Sequence, residues 1–382
     1  MTQYDLLIHG GTLVDPTQGV HARRDVAFKD GVVAAVEENL DPGLATRVVE
    51  AAGRLVTPGL IDVHVHVFEG VSHYGIAPDP TCLARGATTV VDAGSSGADT
   101  FAGFRKYVIE PSETRIFAQL NVSSMGMIAE RIGELDDIKW ASVPRALETI
   151  ERHRDLILGV KVRLTRVSKV GVGLGLQPLY LAREAADAAG LSIMVHPNEA
   201  WSPSLDEVLA VMGKNDILTH TYHGLETGIL DERGKIRPSV RAAAERGVIF
   251  DVGHGQGSFS WGVCETALAQ EFPPTTISSD LHVYCVNGPV YDLPTTISKF
   301  LHLGMSLDDA LARVTTVPAQ IVRMPGQIGT LAPGAHGDAV VFTLEDGRFT
   351  LMDSYGDTRV ASQRLVPDVV VKAGSVYEPR GR

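Results

Sequence analysis

Two histidines stand two residues apart in Asp62-Val63-His64-Val65-His66. Alternate side chains of an extended strand share a face, so His64 and His66 point the same way and can hold one metal ion. The plainer reading is two imidazoles buried by chance among valines. Later apolar runs add further residues of ligand type. Lys161 lies inside LILGVKVRL, His196 closes LSIMVHP, His220 and His223 sit in DILTHTYHG, and Asp280 and His282 sit in TTISSDLH. Each alone has an ordinary structural explanation; five separate runs supplying them in order is hard to attribute to composition. Lys161 has two readings that spacing leaves open. Burial lowers the pKa of an ammonium, and the neutral amine can take up carbon dioxide as a carbamate, a carboxylate able to bridge two metal ions. Alternatively, the lysine is ion-paired with an acid such as Asp280.

Other residues are candidates for touching a substrate. Arg163 lies two positions after Lys161, on the same strand face, and could clamp a carboxylate bidentately; a rim salt bridge is the alternative. Ser95 and Ser96 in DAGSSGADT offer hydroxyl donors, although most Ser-Gly loops are only turns. His254 ends FDVGHG, His282 lies two past Asp280, and Asn287 and Tyr291 follow in the next loop.

These residues must be carried by something that brings strand ends together. From Gly59, short apolar runs alternate with stretches of helical spacing such as QPLYLAREAADAAG and PSVRAAAERG, each closed by glycine. Eight such units predict an α/β fold, a (β/α)8 TIM barrel whose active site lies at the C-terminal ends of its strands. His64, His66, Lys161, His196, His220 and Asp280 then converge. SLDDALARVTTVPAQIV, with a capping box at Ser306 and Asp309, reads as the last barrel helix. The first 55 residues read as short strands, with a hairpin signal at Asp30-Gly31. The region after 328 returns to strands. The expected organisation is residues 1–55 and 329–382 as two parts of a small β-sandwich, with residues 56–328 as the barrel.

Composition narrows the function classes. The 382 residues carry 34 Lys+Arg against 46 Asp+Glu, a formal net charge of -12. Such acidity lacks the basic footprint that nucleic acid or an anionic membrane surface requires. A small-molecule substrate is the expected partner. Three cysteines without a CxxC pair do not form a disulfide framework, which points to a reducing, cytoplasmic setting. MTQYDLLIHGG does not read as a signal peptide, and no run approaches the ~18 apolar residues of a membrane span. GVGLGLQP lacks the GxGxxG frame of a dinucleotide site.

VTPGLIDVHVH, followed by Lys161, MVHP, LTH and SSDLH, resembles the amidohydrolase superfamily of metal-dependent hydrolases over nearly the whole chain. GVKVRLTR, LTHTYHG and SSDLHVYCVNGPVYDLPTTISKFLHLGMS resemble its dihydroorotase-like amidohydrolase/deacetylase branch. The resemblance implies two divalent metal ions, zinc first, with manganese or iron also compatible with the ligand types. It implies that His64 and His66 bind the more buried ion with Asp280. His196 and His220 bind the other, and an N6-carboxylated Lys161 bridges both. His223 is the alternative to His220. A hydroxide bridging the metals would attack the substrate carbonyl, with Asp280 as catalytic proton carrier. The implied activity is removal of an acetyl group, as ester or amide, from a small α-substituted carboxylic acid, by a homo-oligomeric enzyme. Cyclic-amide hydrolysis of the dihydroorotase or hydantoinase kind is the second reading. A non-catalytic scaffold on the same fold is the third, disfavoured because all six ligand positions are kept.

Overall fold

Parallel strands buried on both faces read as nearly unbroken apolar runs, because helices cover one side and the barrel interior the other. Leu60–Val65 and Ile157–Arg163 are buried at every position in the computed structural model, which describes residues 2–164, 174–197 and 204–378. The opening of the glycine run GVGLGLQP falls outside the described residues. Seven strands form one parallel sheet in chain order: Leu60–Val65, Ala87–Gly97, Arg115–Asn121, Ile157–Arg163, Ser192–His196, Ile217–Leu218 and Ile249–Phe250.

The eighth expected strand closes the curl without a ladder of its own. Thr276 bridges Asp251 on one side and Leu281 bridges Val65 on the other, both parallel. Asp280 N donates to His64 O at 2.8 Å and His66 N to Leu281 O at 3.0 Å. Asp280 adopts a left-handed φ of 48°, which interrupts extended backbone there. Side chains hold the segment instead: Thr276 and Ser278 hydroxyls donate to Asp251, and the Ser279 hydroxyl to Asp62.

The helix Gln177–Ala189 shows how the helical layer is made. Pro178 occupies its first turn, where no backbone N–H is needed, and Gly190 ends it with φ 67°. Its buried stripe of Leu179, Ala182, Ala185 and Ala186 packs on the fourth and fifth strands. The last predicted helix splits in two, Leu307–Ala312 and Thr316–Ile321. Ser306 caps the first by accepting from Asp309 N, as the capping pattern predicts. Pro318 would clash with the carbonyl of residue 314 in one continuous helix, so the second starts afresh with proline in its first turn.

The chain ends build the β-rich part. Asp25–Lys29 and Val32–Glu37 pair as a hairpin around Asp30 and Gly31, both with positive φ, as a tight primed turn requires. They join Tyr4–His9 and Ala45–Glu50 in a four-stranded sheet. A six-stranded sheet combines Thr12–Asp15, Val20–Arg23 and Leu55–Pro58 with Ala339–Met352, Thr358–Lys372 and Ser375–Val376. One core holds Leu6, Val26 and Phe28 from the start of the chain and Val341 and Val371 from its end. No helix among the described residues is long and apolar enough to cross a membrane. The three cysteines are buried and unbridged.

Candidate metal centre

The first barrel strand and the closing segment bring three residues of ligand type to one point. His64 Nε2 lies 3.2 Å and His66 Nε2 3.3 Å from Asp280 Oδ1. The three donor groups lie within 4.8 Å of one another, all buried. Asp280 Oδ1 makes no hydrogen bond of acceptable geometry among the described residues, although such a buried oxygen is costly to leave unsatisfied. A cation between the three would satisfy it, so the donor set fits a divalent ion.

Proton bookkeeping supports the same fit. The Thr219 hydroxyl donates its one proton to Asp251 Oδ2 at 2.8 Å, so it must accept from His64 Nδ1, also at 2.8 Å. His64 Nε2 is thereby the nitrogen that faces Asp280 and could coordinate a metal. His66 Nδ1 lies 2.9 Å from Ser95 Oγ. His220 Nδ1 donates to the Gly253 carbonyl at 2.6 Å, which leaves its Nε2 lone pair facing His196 Nδ1 at 2.7 Å. Orienting partners of this kind hold an imidazole ready for a metal. Burial pushes His66 down to about 3, and His196 and His220 well below the usual imidazole range, so these rings are neutral at neutral pH. Burial also pushes Asp280 upward, but the adjoining His64 and His66 imidazoles outweigh it and hold the carboxyl well below its ordinary value.

Lys161 stands in the middle of the fourth strand, fully buried. Gly94, at φ 90°, makes room for it: a Cβ there would come within 2.8 Å of the lysine stem. Its Nζ contacts the Met194 thioether at 3.4 Å. No carboxylate lies within ion-pair range of it among the described residues, so the alternative pairing with Asp280 is not made. Burial pushes its pKa down to about 8.

A cavity of about 250 Å³ opens above this cluster, with His66, Lys161, His196 and Asp280 in its lining. His64 and His220 sit behind them. Arg163 and His282 also line it, as the sequence suggests. Arg163 is ion-paired, but inside the protein rather than at the rim: its Nε is 3.1 Å from Glu134 Oε1, both side chains are buried, and the guanidinium lies 5.4 Å from the Tyr74 ring centre. Ser95 lies behind the cavity, on His66. His254 is turned away from it. Its ring stacks on Phe259 at 4.6 Å, Nδ1 donates to Gly255 O, and Nε2 meets Lys299 Nζ at 2.6 Å. His223, Asn287 and Tyr291 do not line the cavity.

Several cavity residues escape a reading of sequence. Tyr74, Met127 and Tyr284 wall it, together with the loop Gln256-Gly257-Ser258. Glu134 carries no periodic signal; only its pairing with Arg163 marks it. Behind the ligands lie three buried carboxylates, Asp62, Asp92 and Asp251, each holding backbone or hydroxyl donors. Burial pushes Asp62 up to about 7 and Asp92 up to about 6. A larger hollow of about 840 Å³ lies at the other end of the barrel, by the first residues of the strands. Its Arg183 is tied to Asp216 by bonds of 2.8 and 2.9 Å. It contains none of the candidate ligands, and barrels of this kind carry their chemistry at the C-terminal strand ends, so the smaller cavity is the candidate site.

No protein-family model matches the chain. A deacetylase of Agrobacterium fabrum is 38% identical over 361 residues, covering 92% of this chain and 87% of that protein. A crystal structure of an adenine deaminase superposes with a TM-score of 0.91 at 35% identity, covering 99% of this chain and 100% of that one. A crystal structure of a dihydroorotase gives 0.88 at 34% identity, covering 97% and 98%. Barrel, ligand cluster and whole-length similarity agree: the chain belongs to the amidohydrolase superfamily, and it is an enzyme of that metal-dependent group.

Proposed function

We propose that the protein is a binuclear metal-dependent hydrolase that removes an acetyl group, as ester or amide, from a small α-substituted carboxylic acid. The observation that carries this reading is one small cavity with His66, Lys161, His196 and Asp280 at one side and a buried arginine, Arg163, at another. The 38% identity to a deacetylase supports it. Residues 56–328 form the catalytic unit on this reading, with 1–55 and 329–382 as its β-sandwich. The acidic composition and unbridged cysteines suit a cytoplasmic enzyme of small molecules, working as a homo-oligomer.

His64, His66 and Asp280 would hold one ion, zinc by ligand type, and His196 and His220 a second. Lys161, carboxylated, would span both. Ions held there supply Lewis acidity and make water acidic enough to attack at neutral pH. The rest is the work of the chain. Arg163 binds the substrate carboxylate, and Glu134 holds the guanidinium in place. Asp280 receives the proton of the attacking water at Oδ2 and returns it to the leaving oxygen or nitrogen. Tyr74, Tyr284 and His282 cover the site and exclude bulk water.

Hydrolysis of cyclic amides is the competing reading, favoured by the 34% identity to a dihydroorotase. The deciding experiment is a hydrolysis screen of zinc-reconstituted enzyme on acetylated hydroxy and amino acids, dihydroorotate and hydantoins. Acetyl release is expected; a higher kcat/KM on the rings, with no acetyl release, overturns the proposal. In the same assay Asp280→Asn should lose about 10²–10⁴-fold in kcat, the usual contribution of a positioned proton carrier. A variant that keeps its metal and near-wild-type turnover removes Asp280 from this role.

A further inference from the structure

The strands Ala339–Met352 and Thr358–Lys372 are far longer than the sheet that anchors them, and their turn reaches the mouth of the barrel. The turn is built to hold its shape. Asp353 N donates to Asp357 O, and Asp353 Oδ1 accepts from the amides of Tyr355 and Asp357. Lys299 Nζ anchors its base by donating to Met352 O at 2.6 Å.

From there the turn grips the loop that follows the seventh strand. Ser354 N donates to Phe259 O, Phe259 N donates to Ser354 Oγ, and Trp261 N donates to Asp353 Oδ2. Ser354 Oγ reaches the carbonyls of His254 and Gly255. Between these anchors lie Gln256, Gly257 and Ser258, which form one wall of the candidate cavity. Tyr355 reaches that wall directly: its hydroxyl donates to Gly257 O at 3.0 Å. The same hydroxyl accepts from Gly224 N at 2.9 Å, in the loop that follows the His220 strand. Gly224 is shaped for this contact, since a Cβ there would lie 3.2 Å from the tyrosine ring.

We propose that Tyr355 is a positioning residue that sets the width of the substrate cavity, through a hydroxyl tying the Gln256–Ser258 wall to the loop carrying Gly224. This rests on the cavity being the substrate site. One hydroxyl uses both its donor and its acceptor capacity on backbone groups of two different loops. The separation of those loops is therefore set by a residue from the opposite end of the chain. Tyr355 is 47% exposed, so its hydroxyl can be removed without opening the core. It touches none of the candidate ligands in the described contacts, so the metal site is left intact.

The test compares Tyr355→Phe with wild type, both zinc-reconstituted, by metal content, steady-state kinetics and amide hydrogen exchange. Ser354→Ala serves as a second variant that loosens the same wall from its neighbouring anchor. Expected are unchanged metal content, faster exchange confined to residues 255–259 and 221–226, and a KM raised about 3–10-fold with kcat within about two-fold, as loss of uniform binding reads. Unchanged exchange in those segments overturns the proposal, as does lost metal or a fall in kcat alone. If wild-type enzyme turns over no acetylated or cyclic substrate, the functional reading fails, while the exchange comparison still decides whether Tyr355 holds the wall.

Discussion

Lys161 is the residue whose surroundings constrain its chemistry most. It is buried in the middle of a strand, its amine meets a thioether, and no acid lies within ion-pair range among the described residues. Burial brings its pKa to about 8, below the 10.5 of an ordinary lysine. Protonation therefore opposes folding, and the unmodified protein should gain stability as pH rises from about 8 towards about 10.5, where the unfolded chain binds the extra proton. The neutral amine is also the form that attacks carbon dioxide: an N–C bond forms as one C=O π bond breaks onto oxygen, a proton leaves the nitrogen for solvent, and the neutral amine becomes an anion. At fixed dissolved carbon dioxide the neutral fraction, and with it the initial rate of carbamate formation, should rise about ten-fold or more between about pH 6 and pH 8. Carbon-13 NMR of metal-free protein given labelled bicarbonate tests this. A carbamate resonance in wild type, missing in Lys161→Gln, is expected; identical spectra would remove the carbamate from the site.

At the scale of elements, each candidate ligand ring is oriented by a residue on or after another strand. Asp251, after the seventh strand, accepts hydroxyl donors from Thr219 on one side and Thr276 and Ser278 on the other. Through Thr219 it sets the tautomer of His64 across the barrel. Thr219→Val keeps the shape and removes the hydroxyl, leaving His64 Nδ1 without its acceptor. Zinc affinity, measured by competition with a chromogenic chelator, should fall about 10–100-fold, with about 1–3 kcal/mol of stability lost to the unsatisfied groups. Thr219→Ser should restore the affinity, and an unchanged affinity in Thr219→Val would separate this relay from metal binding. The same element view explains what was legible in the sequence. Strand ends in a barrel converge, so a histidine, lysine or aspartate at each end announces the cluster. Ring direction is another matter: His254 has the right strand end, but Lys299, 45 residues later, claims its Nε2. Glu134 lies in a loop whose position no period encodes. The closing segment was legible as a strand by composition, yet hydroxyl–carboxylate bonds and a left-handed Asp280 take the place of its ladder.

Across the whole molecule, the two chain ends share a core, and the C-terminal hairpin reaches from it to the loop that forms one wall of the cavity. The barrel itself has a seam. Between the first strand and the closing segment the pairing is one bridge, Val65 to Leu281, flanked by two backbone hydrogen bonds. His64 and His66 stand on one side of that seam and Asp280 on the other. An ion shared by the three would clasp the seam, and because the unfolded chain has no such preformed site, its binding free energy would add to folding. At free zinc one hundred times its Kd, each ion should contribute about 2.7 kcal/mol. For a chain of this length about 1 kcal/mol shifts Tm by about 1–2 °C, so two ions should raise Tm by about 5–10 °C over chelator-treated protein. The effect should also be local: metal removal should speed amide exchange in residues 60–66 and 275–283 more than in the sandwich strands. Scanning calorimetry with and without chelator, followed by exchange mass spectrometry, reads both. A uniform rise in exchange, or the same Tm shift in His64→Ala, would mean that the stabilising ion does not sit across the seam.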